Sequence, residues 1–245
     1  MISMRPFRNE LKFSIHYSVR EMLLARWHRH LVKGAFTNQH AVTTILSQYY
    51  DSPELTFYHE KLEGIGLRNK VRLRAYGTEF RAGETVFLEI KRRYNDLVRK
   101  DRYKIPDFDP ARHLNPANWK FDDPQMESAF LALRERHRLR ASAQTYYQRE
   151  VYQGAVESDV RITFDSNFIG LHPQEKLSSG ILRDPSRSCM PDTLVILEVK
   201  ATNAIPRWVH DGIIAGELQQ RPIPKYVTAM EHLHLHQTSS GGIYA

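Results

Sequence analysis

Residues 70–93 read KVRLRAYGTEFRAGETVFLEIKRR, and this stretch decides the fold. Alternate side chains of an extended chain share a face, so Lys70, Arg72 and Arg74 take one side while Val71, Leu73 and Ala75 take the other. A polar turn follows. The second arm repeats the arrangement, with Glu89 and Lys91 on one face and Leu88 and Ile90 on the opposite one. The stretch predicts a hairpin with one charged and one apolar face. Taken singly, such a hairpin is ordinarily just a solvated surface.

The pattern is not single. Arg8, Glu10 and Lys12 alternate in FRNELKF, and Arg149 lies in TYYQREVY. Arg161 alternates with Thr163 and Asp165 in DVRITFD, and Glu198 with Lys200 in TLVILEVK. Strands of this kind predict an α+β protein built on a closed antiparallel β-barrel. Its apolar side is packed by helices and its cationic side lines a wet channel. Like charges gathered in a channel repel one another until counter-charge arrives, so the channel is expected to take several phosphates.

Bulk properties agree. The chain has 245 residues, of which 41% are hydrophobic, enough for one domain with a sizeable core. The expected domain covers residues 1–237, with a short polar tail at 238–245. A formal charge of +7 favours anionic partners: phosphates, nucleic acid or acidic lipid. The single cysteine, Cys189, excludes an internal disulfide and multi-cysteine zinc sites, and a reducing, cytoplasmic setting is expected. No run approaches the ~20 apolar residues of a membrane helix, and the N-terminus has no apolar signal core.

In chain order, Ser18 is the expected N-cap of a helix continuing to Gly34, and AVTTILSQYYDS the next strand. FYHEKLEGIG predicts a short helix stopped by Gly64 and Gly66. DLVRKDRYKI (96–105) places Arg99, Lys100, Arg102 and Lys104 either at the channel or on a protected sheet edge. Residues 107–123 are rich in Pro, Asn and Asp and predict a loop, and 124–140 a helix. Strands follow near 143–152, 160–168 and 193–201, then helices in RWVHDGIIAGEL and KYVTAMEHLHL.

Read together, YYDSPELTFYHEKLEG, KVRLRAYG, FLEIKRR, VRITFD, ILEVK and PKY, in that order, resemble the polyphosphate-polymerase domain of the vacuolar transporter chaperone (VTC) family. That domain is one of the triphosphate tunnel metalloenzymes. The resemblance runs from Glu10 to about Met230. It implies that Arg72, Arg74, Lys91, Arg149 and Arg161 act on the reacting phosphates, and that Lys12, Lys100, Lys200 and Lys225 hold the rest of the substrate. It also implies that Glu198, with Glu89 and Glu10 as helpers, binds Mn²⁺ or Mg²⁺. Planar Arg forks suit phosphate oxygens, Lys supplies point charge, and a hard carboxylate beside phosphate suits these ions. Two departures stand out. Arg8 occupies a position where many tunnel enzymes have glutamate, and Thr228 replaces a second lysine three residues after Lys225.

The implied reaction moves the γ-phosphoryl of ATP onto polyphosphate. Hydrolysis of a triphosphate, or non-catalytic polyanion binding, are the alternatives. Specific nucleic-acid recognition is not expected, since cations alternate on many strands rather than forming one exposed patch with stacking aromatics. The YY pair and Tyr76 are expected to pack the barrel, and His232, His234 and His236 to be solvated. No GxSxG or HExxH motif occurs.

Overall fold

A computed structural model describes residues 9–34, 42–95, 97–202, 204–221 and 223–236. Arg8 and the expected tail at 238–245 lie outside these. The chain partitions into two compact units, each assembled from separated segments. One comprises Met1–Thr43, Tyr147–Phe168 and Met190–Ile223; the other comprises Thr44–Tyr146, Ile169–Cys189 and Pro224–Ala245.

In the first unit, strand β1 (Asn9–His16) leads into helix α1 (Tyr17–Trp27) and the short strand β2 (Leu31–Lys33). The sheet is completed by part of β7 (Arg140–Gly154), most of β8 (Arg161–Leu171) and β9 (Leu194–Ala201). The hydrogen-bonded order is β1-β9-β8-β7, with β2 on β7. Phe13, Ile15, Ile162, Phe164, Val195, Leu197 and Val199 point to one side and are buried with Leu23 and Trp27 of α1. Helix α6 (Arg207–Ala215) joins this core through Val209. A Cβ at Gly212 would stand 2.4 Å from the Trp27 indole nitrogen, so only glycine permits this approach of α6 to α1.

Two expectations for this region are corrected. The helix ends at Trp27 rather than Gly34, and residues 31–33 pair instead with Tyr152–Gly154. Trp27 is fully buried and donates its indole N–H to the Trp208 carbonyl, which pins the helix end there. The N-cap is His16, not Ser18: His16 has the extended backbone of a cap, and its ring nitrogen accepts the Ser18 N–H.

The second unit carries β3 (Val42–Asp51), helix α2 (Thr56–Leu62), then β4 (Leu67–Ala75), β5 (Val86–Tyr94) and β6 (Leu97–Ile105). The order here is β7-β3-β4-β5-β6. The loop at 107–123 contains the short helix α3 (Pro110–His113). Helix α4 (Pro124–His137) follows, capped by Asp123, which accepts the N–H groups of Gln125 and Met126. Helices α5 (Ser179–Arg183) and α7 (Lys225–His232) complete the unit. Val71, Leu73, Leu88 and Ile90 are fully buried and pack in one core with Phe130, Trp119 and Met126, so the apolar hairpin face lies where the alternation put it. Among the described residues no pairing joins β1 to β6, so the expected closure of the antiparallel sheet into a barrel is not observed.

Cys189 is free, and burial pushes its thiol up to about 12, away from reactivity at neutral pH. Among the described residues no helix is long and apolar enough to cross a membrane.

Candidate functional site

The register of β4, β5 and β6 turns the sequence alternation into a two-dimensional array. Lys70 lies opposite Lys91, and Lys91 opposite Lys100; Arg72 lies opposite Glu89, and Glu89 opposite Arg102. Above and below these rows come Arg74 with Phe87 and Lys104, and Arg68 with Arg93 and Val98. Among the described residues of the three strands, Glu89 is the one acidic side chain on this face, Asp101 lying opposite Ile90 on the other.

Glu89 is 2% exposed and shared by four cations. Arg72 donates from Nε and Nη2 to Oε2 at 2.8 and 2.7 Å. Arg74 stands 3.4 Å from the same oxygen, while Lys100 and Arg102 approach Oε1 at 2.9 and 3.5 Å. Burial by itself would raise the carboxyl, but Arg72 and Lys100 overcome it and hold the group at about 2. Arg102 also stacks on Phe87, with Cζ 3.7 Å from the ring centre, and donates to the Tyr76 hydroxyl.

In the first unit a smaller array forms on β1, β9 and β8. Lys12 pairs with Glu198 and Glu198 with Thr163; Glu10 pairs with Lys200 and Lys200 with Arg161. Glu198 is 7% exposed, with Lys200 at 2.8 Å, Lys12 at 3.3 Å and Arg149 at 3.8 Å. Lys12 and Lys200 also reach Glu10, at 2.7 and 3.7 Å. Burial opposes the Glu198 charge, yet a hydrogen bond with Glu10 and the three cations hold its carboxyl far below the usual carboxylate range. Lys12 is raised despite its own burial, because Glu198 and Glu10 favour its charged form. Arg149 grips Asp165 with both prongs, Nε to Oδ1 at 2.6 Å and Nη2 to Oδ2 at 2.7 Å.

The site residues expected from sequence therefore fall into two groups. Arg72, Arg74, Lys91, Lys100 and Glu89 share the β4–β6 face, and Lys225 heads α7 in the same unit. Lys12, Arg149, Arg161, Glu198 and Lys200 lie on strands of the first unit. Lys70, Arg102 and Lys104, already placed at or near this face by the sequence, extend the first group, as do Arg68 and Arg93, which the same period of two would have found. Tyr49, opposite Arg72 on β3, carried no signal beyond β-prone packing, and Asp165, placed by alternation on the face of Arg161, gave no sign that it would anchor Arg149. Of the three late histidines, His232 bonds the Ser186 carbonyl and His236 that of Met230.

Mg²⁺ and Mn²⁺ need few protein oxygens when phosphate and water complete the shell. Three cations also stand by Glu198, but there a second carboxylate and a hydroxyl are at hand. Glu10 lies close, and Thr163 Oγ1, opposite Glu198, is buried without a hydrogen-bond partner. Around Glu89 four cations surround one carboxylate, a set better matched to substrate oxygens. Among the described residues no three His, Cys, Asp or Glu side chains gather as a preformed metal cage.

A Bacillus halodurans protein described as a candidate adenylate cyclase shares the fold, with a TM-score of 0.54 at 10% identity over 90% of this chain and 95% of that one. Weaker likenesses are to the PH1819 protein of Pyrococcus horikoshii OT3 (TM-score 0.45, 11% identity, 92% of this chain and 99% of that one) and to the Mimivirus capping-enzyme triphosphatase (0.35, 11%, 85% and 88%). The VTC domain profile matches residues 7–234, and the chain belongs to that family. No curated protein sequence matches it.

Proposed function

We propose that this chain is a metal-assisted phosphotransferase that moves the γ-phosphoryl group of ATP onto a polyphosphate chain inside a closed cationic tunnel. The observation carrying this reading is the β4–β6 array, in which rows of cations surround one buried carboxylate. Arg68 to Arg74 spans six residue steps of strand, about 20 Å at the usual rise, which suits a linear oligophosphate better than a single phosphate group.

Phosphoryl transfer spreads charge over non-bridging oxygens, and fixed cations stabilise that charge without reorganising. Arg72, Arg74, Lys91, Arg149 and Arg161 are assigned to the transferring group and its neighbours. Lys12, Lys100, Lys200 and Lys225 hold the remaining phosphates. Glu198 with Glu10 and Thr163 would hold Mn²⁺ or Mg²⁺, which when bound would add positive charge at the phosphate oxygens. A cytoplasmic setting belongs to the same reading.

Hydrolysis is the second reading, and Thr228 favours it. The residue is half-buried on α7, three positions after Lys225, where the family's polymerases are expected to have a further lysine. A weaker grip on a long product shifts the balance toward release of phosphate. The test is incubation of the purified protein with ATP and Mn²⁺, followed by gel sizing of polymer and assay of free phosphate. Long polymer supports transfer. Phosphate alone replaces it with hydrolysis, and no consumption of ATP overturns both in favour of binding.

A further inference from the structure

We infer that Tyr49 is a positioning residue for the phosphate site, acting through Arg72, which its hydroxyl holds in a fixed plane. The inference rests on the reading of the β4–β6 array as an oligophosphate site and adds a residue to it.

Tyr49 lies directly opposite Arg72 in the β3–β4 ladder. Its hydroxyl accepts a hydrogen bond from Arg72 Nη1 at 3.1 Å. Nε and Nη2 of the same guanidinium donate to Glu89 at 2.8 and 2.7 Å. A guanidinium has five N–H donors in one plane, and two partners on different edges fix that plane where one partner would leave it free to swing. Tyr49 is itself immobile. It is 1% exposed, its ring stacks on Tyr226 at 5.0 Å, and Leu55, Ala143 and Met230 lie in the same cluster. A side chain so buried acts through its neighbour rather than by touching substrate.

The surroundings mark this tyrosine off from a packing residue. Lys70 Nζ and Arg72 Cζ each lie 5.8 Å from the ring centre. Burial alone would raise the hydroxyl above its ordinary value, but Arg72, Lys70 and Lys225 reverse that and lower it. The oxygen is thus polarised toward acceptance, the role Arg72 needs from it. Phenylalanine would serve the packing equally well and could not do this.

The test is a double-mutant cycle read by calorimetric titration with inorganic tripolyphosphate on the full chain: wild type, Tyr49→Phe, Arg72→Ala and the double variant. Tyr49→Phe should weaken binding about 10- to 150-fold, the range expected for a hydrogen bond to a charged group. The same change on the Arg72→Ala background should cost less than about twofold, because the group through which it acts is gone. An undiminished affinity in Tyr49→Phe, or an equal loss on both backgrounds, overturns the inference while leaving the site reading intact. Failure of the wild type to bind tripolyphosphate overturns both. Should Tyr49→Phe fold poorly, ¹⁵N resonances of the Arg72 side chain in the wild type decide the matter: slow rotation of the guanidinium supports the fixed plane, and fast rotation refutes it.

Discussion

Replacing Glu89 by glutamine keeps the shape of the side chain and removes the charge that Arg72, Arg74, Lys100 and Arg102 share. The fall of its carboxyl from 4.5 to about 2 corresponds to about 3 kcal/mol of stability at neutral pH, an order-of-magnitude value for a buried group. For a chain of this size that is a loss of roughly 6–12 °C in melting temperature. Because the folded-state value is depressed, the contribution is complete above the unfolded value near 4.5 and disappears as pH falls toward about 2. Thermal melts followed by circular dichroism should therefore show a gap between wild type and Glu89→Gln that is wide at pH 7, narrows below about pH 4.5 and closes near pH 2. Tripolyphosphate should restore the variant more than it raises the wild type, because it replaces the missing counter-charge. A Glu89→Gln protein as stable as the wild type at pH 7 in low salt, or a gap that does not change with pH, refutes the argument.

The remaining predictions concern the residues around this centre. The double variant Arg72→Ala/Arg74→Ala should lose tripolyphosphate binding at least 100-fold by calorimetry while keeping its circular dichroism spectrum; retained affinity counts against the array as the site. Glu198→Gln should cut Mn²⁺-dependent turnover at least tenfold and change nucleotide affinity far less, since Lys12, Lys200 and Arg149 remain; an unchanged rate and Mn²⁺ dependence removes Glu198 from the metal's shell. Thr228→Lys, on the same helix side as Lys225, should lengthen polymer or raise its ratio to free phosphate on a sizing gel. That gain should shrink with salt, because an exposed ammonium is screened over ~10 Å at 0.1 M.

Much of this architecture was legible in alternation alone. KVRLRAYG placed Val71 and Leu73 in the core and Arg72 and Arg74 opposite because side-chain direction in a strand is a local property. Cross-strand register is not local. That Glu89 faces Arg72 on one side and Arg102 on the other, and so becomes the hub of four cations, depends on two ladders that no single strand encodes. The same holds for Thr163 opposite Glu198 and for Tyr49 opposite Arg72, which read in sequence as ordinary β-formers. Residues 31–33 misled for a related reason: Leu31 and Val32 continue a helical spacing, but pairing with Gln153 and Gly154 outweighs it once Trp27 is anchored. The family resemblance implies roles that physics alone does not assign, a metal at Glu198 above all.

The central claim is that the cationic strand faces are built for a linear chain of phosphates rather than for anions in general. Its most direct measurement is calorimetric titration of the wild-type protein with tripolyphosphate, with a longer inorganic polyphosphate and with single-stranded DNA of matched charge, each at low and physiological salt. Affinity should rise from tripolyphosphate to the longer polymer, and both should bind at least tenfold more tightly than DNA at physiological salt. Equal affinity for DNA and polyphosphate, or no binding of either phosphate, would contradict the account.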